Sequence, residues 1–377
     1  MNNSVLWLWL CVCVGLNRKK QLILLNNFKT IENIYNANLS LYKEFDFLTD
    51  EELNLLSNKD LKVAENEFKK ISDFGAFVLT IDSPDYPTVL KEIYDPPTLL
   101  YCKGKLVDMN KRLCISVVGT RKATAYGKNC AKNLSKALAS QGIIIVSGLA
   151  LGIDTSSHKG ALEAGAPTVA IIGSGLDVPY PPSNANLMKE IEQTGLVMTE
   201  YPLGSTPEKF HFPERNRIIS GISQGTIVIE ADLKSGSLIT AKSATDQGRD
   251  VFAVPGNINS IYSLGTNNLI KDGAKMALDA NEIINDFKFN YPERVLCSIN
   301  FDEALYSQNE KMASFSEFGS DEEKIISVLK EGRANADIVC EKTGIAIGSV
   351  NSALLILELK GEIIKSAGGY YELNTKF

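Results

Sequence analysis

The sequence predicts an α/β protein built on a doubly wound, extended Rossmann-like parallel sheet. Between residues 111 and 280, short β-branched runs such as LCISVVG, GIIIVSG and PTVAIIG alternate with helical stretches of ten or more residues. Strands that alternate with helices favour a parallel sheet whose two faces are covered. In one such stretch, AYGKNCAKNLSKALASQG, the residues Cys130, Leu134 and Leu138 recur on one face at helical spacing.

A small helical domain is predicted before this core. The segment LTDEELNLLS carries a helix start signal, because Thr49 is followed by Glu52 three residues later, as in a capping box. The apolar run Val5–Val14 is ten residues long, whereas a membrane-spanning helix needs about 18 or more. We therefore interpret this run as a buried helix, and expect no membrane segment.

A winged helix is predicted after the core. Three helical stretches end at Gly332, Gly344 and Gly361, and two short strand-like runs follow around Gly-Gly, which is the winged helix-turn-helix pattern. The third helix offers only Lys360, so we expect this unit to contact protein rather than DNA. The predicted domains are a helical domain at 1–70, the Rossmann-like domain at 71–285, a linker at 286–320 and the winged helix at 321–377.

Composition excludes several classes of function. The 377 residues include 39 Lys and Arg against 45 Asp and Glu, a net charge of -6, which argues against a globally basic nucleic-acid binder but not against a local basic patch. Residues 111–280 hold 17 Lys and Arg against 14 Asp and Glu, so the core is the basic part of an acidic chain. Two His and seven Cys without a CxxC motif favour a cytoplasmic protein with reduced thiols and no metal site.

Candidate binding residues follow the predicted strands, because ligands of open α/β sheets bind beyond the carboxyl ends of the strands. The first strand leads to Gly119, Arg121 and Lys122, where an open turn and two cations suit a phosphate. The second strand leads to Ser147 and Gly148. The segment FHFPERNRIISG adds a candidate base-stacking ring and a polar cluster: Phe212, Arg215, Asn216 and Arg217.

Enzymatic and nucleotide-binding motifs are weak by comparison. No GxxxxGK[ST] P-loop occurs, and a GxGxxG pattern fails because Val178 stands where the third glycine belongs. His158 with Asp154 one turn earlier is either an acid–base pair or a helix interaction. Glu230, at the end of a strand, is either a general base or a structural partner of a nearby cation.

Seven segments, in order, resemble the bacterial DNA-processing protein A family (DprA/Smf) over about residues 75–280. They are GTRKATAYG, SGLALGIDTSSHKGAL, GSGLDVPYPPSNANL, FPERNRIISG, EADLKSGSLITA, QGRDVFAVPG and GTNNLIKDGA. The resemblance implies a non-enzymatic, homodimeric, cofactor-free protein that binds single-stranded DNA. It further implies a role in natural transformation (competence) and DNA recombination, in which the protein protects incoming strands and loads RecA recombinase onto them.

The resemblance also implies a set of DNA-binding residues. The implied pocket involves Arg121 and Lys122 of GTRK, Ser147 and Gly148 of SGLA, and the RNR triplet Arg215, Asn216 and Arg217. Lys242, in the helix that follows, is added on charge alone. One departure concerns the N-terminal domain, where Asn17 replaces the second glycine of the family's Gly-x-Gly hairpin, so DNA contact by that domain is not expected.

Two other classes of function compete with this interpretation. One is a nucleotide-processing enzyme of the phosphoribohydrolase-like Rossmann superfamily, in which Glu230 and Arg215 would act on a ribose-linked base. Its Pro-Gly-Gly loop is absent, because GISQGTIVIE stands at that place. The other is an interaction module whose active part is the winged helix.

Overall fold

The computed structural model describes residues 2–295, 320–359, 363–366 and 370–373. Contacts within the chain define two compact units, one over residues 1–304 and the other over residues 305–377. Within the described ranges, no helix is long and apolar enough to cross a membrane.

Among the described residues, the first unit is built around a nine-stranded sheet, which confirms the predicted Rossmann-like α/β fold. The strands follow one another across the sheet in the order β1-β2-β6-β5-β4-β3-β7-β8-β9. Their bounds are β1 Ala76–Thr80, β2 Leu99–Gly104, β3 Cys114–Val118, β4 Ile144–Ser147, β5 Thr168–Ile171, β6 Leu196–Thr199, β7 Gly225–Val228, β8 Asp250–Ala253 and β9 Lys275–Met276.

The chain adds strands on both sides of the central strand β3. From β3 it moves outward through β4, β5 and β6, and then returns to the other side of β3 to add β7, β8 and β9, all as parallel neighbours. Ile115 of β3 thus lies between Ile145 of β4 and Gly225 of β7. Strands β1 and β2 extend the β6 edge as antiparallel neighbours. Every residue of β3 to β7 is buried, as expected for strands covered on both faces.

Helices cover both faces of this sheet and form the N-terminal segment. Their bounds are α1 Asn3–Leu8, α2 Arg18–Phe28, α3 Ile31–Asn36, α4 Leu39–Tyr42, α5 Asp50–Ser57, α6 Lys62–Asp73, α7 Thr88–Lys91, α8 Ala125–Ala139, α9 Ile153–Glu163, α10 Ala185–Thr194, α11 His211–Ile222, α12 Gly236–Asp246, α13 Leu264–Lys271 and α14 Ala280–Asn290. Helix α5 starts with the predicted capping box, since the Thr49 side chain accepts from the Glu52 amide and the Glu52 side chain accepts from the Thr49 amide.

The apolar N-terminal run is buried, as predicted, in α1 and a π-helical turn over Trp9–Cys13. Trp7 is fully buried and its indole N–H donates to Asp82, 2.9 Å away, just after β1. The apolar side chains of this run belong to one continuous core cluster with those of β1 and β4 to β6. The first 70 residues, predicted as a domain of their own, therefore lie in the same compact unit as the sheet.

Helix α14 runs past the predicted domain boundary at residue 285. Phe287 is fully buried against Phe252 of β8, with ring centroids 5.7 Å apart, and Val295 is buried in the same cluster. The start of the predicted linker therefore packs as part of the core. Residues 296–319, the rest of that linker, lie outside the described residues.

The second unit contains the winged-helix elements. They are α15 Ser320–Glu331, α16 Ala336–Thr343, α17 Ile347–Leu359, β10 Ile363–Ser366 and β11 Tyr370–Leu373. The two strands form an antiparallel hairpin, and Ile325, Val339 and Leu354 are fully buried in the small core of this unit. Helix α16 ends where predicted, at Gly344 in the left-handed conformation. Lys360, on which the predicted protein-binding role rested, lies outside the described residues.

Candidate nucleic-acid interface

A cleft opens at the carboxyl edge of the sheet between β3 and β7. The chain leaves β3 toward one side of the sheet and leaves β7 toward the other, and such a topological switch point is where open α/β sheets bind ligands. A cavity of about 320 Å³ lies there. It is lined by the loop after β3, the start of α11, and the loop and first turn of α12.

The loop after β3 presents two exposed cations to this cleft. Arg121 and Lys122 are both exposed and both line the cavity. The guanidinium carbon of Arg121 lies 5.0 Å from the ring centroid of Phe212, so a cation–π contact holds this arginine over α11. Gly119 is required at the base of the loop, because a Cβ there would lie 2.5 Å from the side chain of Ile153 on α9.

A buried guanidinium forms the floor of the cleft. Arg215 is 5% exposed and donates hydrogen bonds to the carbonyl oxygens of Gly148, at 2.5 Å, and Ile171, so it joins the loop after β4 to the end of β5. Burial lowers the pKa of Arg215 to about 10, although Asp154 opposes that shift. The guanidinium is therefore charged at neutral pH. Gly148 contributes by lacking a side chain, since a Cβ would fall on the Arg215 guanidinium.

Ser147, a predicted contact residue, does not face the cleft. It is fully buried at the end of β4, and its hydroxyl donates to the carbonyl oxygen of Val117 at 2.7 Å. Its contacts are those of a residue that fixes the neighbouring strands β3 and β4. The SGLA segment thus enters the site through the backbone around Gly148 rather than through a hydroxyl group.

Arg217 also lies away from the cleft, so the structure does not bring it together with Arg121 in one groove. Its side chain is 14% exposed and forms an ion pair with Glu200, itself 8% exposed, and a hydrogen bond with the carbonyl oxygen of Asp95. The physical reason is helical geometry. Arg215 precedes Arg217 by two residues on α11, and two residues rotate a side chain by about 200° around a helix.

The remaining predicted residues divide between the cleft and the outer surface. Asn216 lines the cleft and contacts the Gly236 carbonyl oxygen at 3.5 Å. Phe212 is half-buried, lines the cleft and lies 5.5 Å from the ring of Tyr180. Lys242 is exposed on α12, outside the residues that line the cavity.

Sequence reasoning missed two contributors to the site. Tyr180 extends the aromatic surface of Phe212 into an adjoining small cavity that Arg121 also lines. The first turn of α12 lines the main cavity, with Ser235 as its N-cap, so free backbone N–H groups of a helix start add to the positive potential. The signal was present as Ser-Gly-Ser in EADLKSGSLITA, a Ser N-cap before a helical run.

The groups considered for acid–base catalysis have structural partners. Glu230 is buried and accepts hydrogen bonds from the amide and hydroxyl of Thr124, at 2.9 and 2.6 Å, at the start of α8. His158 is fully buried and its Nδ1 bonds to the hydroxyl of Thr168 at 2.8 Å, not to Asp154. Burial and the nearby Arg215 lower the pKa of His158 to about 3. Both groups are thus engaged by hydrogen bonds inside the fold.

Comparison with known proteins identifies the family. Residues 77–288 match the family model for DNA recombination-mediator protein A, and residues 314–369 match the model for the DprA winged helix domain. The chain is 45% identical over 221 residues to DNA processing protein DprA of Streptococcus pneumoniae, which covers 59% of this chain and 77% of that protein. It is 36% identical over 320 residues to Protein Smf of a Synechocystis species, which covers 78% and 79% of the two chains.

Solved structures agree with this match. The crystal structure of DprA from Streptococcus pneumoniae superposes with a TM-score of 0.67 at 36% identity, covering 76% of this chain and 98% of that one. DNA processing protein A from Helicobacter pylori, described for its single-stranded DNA binding mode, superposes with a TM-score of 0.52 at 34% identity, covering 57% and 97%. On these matches the chain belongs to the DNA recombination-mediator protein A family, also called DprA or Smf.

Proposed function

We propose that this protein binds single-stranded DNA, without sequence preference and without catalysing a reaction, in the cleft between β3 and β7. The observation that carries the proposal is the exposed Arg121 guanidinium held over Phe212 at the mouth of the cleft. An arginine placed there donates charge-assisted hydrogen bonds to phosphate oxygens. Membership of a family in which the Helicobacter pylori protein is described as a single-stranded DNA binder supports it.

The other features of the cleft fit a polyanion with exposed bases. The buried charge of Arg215 and the start of α12 add positive potential without reading base edges. The rings of Phe212 and Tyr180 offer faces on which bases stack, a contact that tolerates any base. Phosphate contacts and stacking together favour single strands over duplexes, in which the bases are already stacked.

The finer parts of the function rest on the family resemblance alone. We propose that the protein acts as a cytoplasmic homodimer that protects incoming strands and passes them to RecA recombinase. An assay of recombinase filament assembly on a coated single strand, with and without this protein, tests the transfer step. Unchanged filament assembly would contradict it, and a monomer by sedimentation would contradict the dimer.

A salt titration tests the phosphate cleft. Each neutralised phosphate of a single strand adds about -0.7 to the slope of log K against log salt, so three or four phosphates give a slope of roughly -2 to -3. We expect Arg121→Ala to weaken binding and reduce the slope by about 0.7, and a chelator to leave affinity unchanged. Lys69→Ala, an exposed change on α6 outside the cleft lining, is the matched control and should behave as wild type. A flat salt response of the wild type would contradict the proposal.

A further inference from the structure

Helix α8 carries a row of lysines that the cleft does not explain. Seven Lys and Arg and no Asp or Glu occur in the sequence between residues 109 and 153, in a protein of net charge -6. Three of these, Lys128, Lys132 and Lys136, lie on α8 at intervals of four residues and therefore share one face of the helix. Lys128 and Lys136 are exposed, and the Lys132 side chain is 41% exposed.

This row opposes the stability of the helix that carries it. Like charges four residues apart on a helix repel each other. Lys128 lies in the first turn of α8, where the helix macrodipole disfavours a cation. Helix α8 has no acidic residue of its own to compensate. An arrangement that costs stability and remains exposed indicates an anionic ligand.

A carboxylate of the neighbouring helix lies against part of this row. Glu163, on the neighbouring helix α9, pairs with Lys132 at 2.7 Å. Lys136 of α8 and Lys159 of α9 lie close enough to the same carboxylate to help lower the pKa of Glu163. We call Lys128, Lys132, Lys136 and Lys159 the basic ridge. Three of the four cations, Lys132, Lys136 and Lys159, lie near the one carboxylate of Glu163, so the ridge has a net positive charge.

The ridge follows the cationic loop of the cleft along the chain. Helix α8 begins three residues after Lys122, and Lys128 to Lys136 spans about 12 Å along its axis. Resting on the proposed function above, we propose that a single strand leaving the cleft continues along the basic ridge, with its phosphodiester backbone against these lysines. A DNA strand already bound in the cleft is the ligand that fits the ridge, because its backbone is negatively charged. In the sequence, no acidic residue interrupts the exposed cations from Arg121 and Lys122 to Lys136.

The test compares strand lengths. The triple variant Lys128→Gln, Lys132→Gln, Lys136→Gln is measured by fluorescence anisotropy with oligothymidylates of about 6 and about 20 nucleotides, which bracket ordinary single-strand site sizes. We expect the short strand to bind within about twofold of wild type and the long strand to lose about tenfold or more at low salt. For the long strand, the slope of log K against log salt should become shallower by about 2, since three phosphate contacts are lost.

Two further variants keep the outcome interpretable. Lys62→Gln, Lys69→Gln, Lys70→Gln on α6 changes the net charge equally at exposed positions and should leave both affinities unchanged. Arg121→Ala should weaken both lengths, and if it affects neither, the cleft itself is refuted. The ridge proposal is overturned and the cleft stands if Arg121→Ala weakens the binding of both strand lengths while the ridge variant changes neither affinity, or changes both equally.

Discussion

The arginines of the RNR triplet show how neighbouring residues acquire different roles. Arg215 bonds to two backbone carbonyls beneath the cleft, whereas Arg217 pairs with Glu200 on another side of α11. The sequence predicted a cationic segment in a helix near the ligand edge, and this is correct. It does not reveal which cation faces the cleft, because that depends on the rotational phase of α11, which the preceding loop sets.

His158 makes the stability of the fold depend on pH. In the unfolded chain its pKa is near 6.5, whereas burial lowers the folded value to about 3, so unfolding takes up a proton below pH 6.5. Above pH 6.5 this group does not reduce the free energy of unfolding. As the pH drops from 6.5 toward 3, the free energy of unfolding falls by up to about 1.4 kcal/mol per pH unit. We expect His158→Gln to flatten the pH dependence of the free energy of unfolding, measured in urea at pH 7, 6 and 5. Parallel curves for the variant and wild type would contradict this assignment.

At the scale of elements, the central strands of the sheet were predictable, whereas β2 and β9 were not. Strands β3 to β8 are apolar, β-branched runs between turn signals, the pattern from which the sequence predicts the sheet. Strand β2 was missed because it follows the turn-forming sequence YDPP, and β9 because it has only two residues. The start of α12 was recognisable as a helix, but its place in the cleft depends on the strand order, which no local pattern contains.

Two glycines of the site elements provide a matched comparison. A Cβ on Gly148 would fall on the buried Arg215 guanidinium, whereas a Cβ on Gly236, in the first turn of α12, meets no atom within 4 Å. We expect Gly148→Ala to lower the free energy of unfolding by about 1–3 kcal/mol, the usual cost of overpacking, and to weaken DNA binding by disturbing the cleft floor. Gly236→Ala should unfold at or slightly above the wild-type denaturant concentration, because alanine favours helix. Equal stabilities in urea would show that Arg215 is not fixed by Gly148.

At the scale of the molecule, the N-terminal helices and the cleft-bearing sheet form one body. Arg18 at the start of α2 pairs with Asp95 at 2.9 Å and with Glu200 at 3.3 Å, and Arg217 of α11 completes this network. Burial raises the pKa of Glu200 while Arg217 and Arg18 lower it, so the network depends on both arginines. Removing one partner of a buried ion pair typically costs 3–5 kcal/mol. We therefore expect the loss of Arg217 to destabilise the first unit.

The most direct test of the account measures DNA affinity and melting temperature on the same preparations of Arg121→Ala and Arg217→Ala. We predict that Arg121→Ala loses about 1–3 kcal/mol of single-strand binding, the range for hydrogen bonds to charged groups, and melts close to wild type. Arg217→Ala should melt clearly lower and yet, at a temperature where it is folded, bind single strands like wild type. The reverse pattern, in which Arg217→Ala abolishes binding in a stable fold while Arg121→Ala binds normally, would contradict the placement of the DNA site in the cleft between β3 and β7.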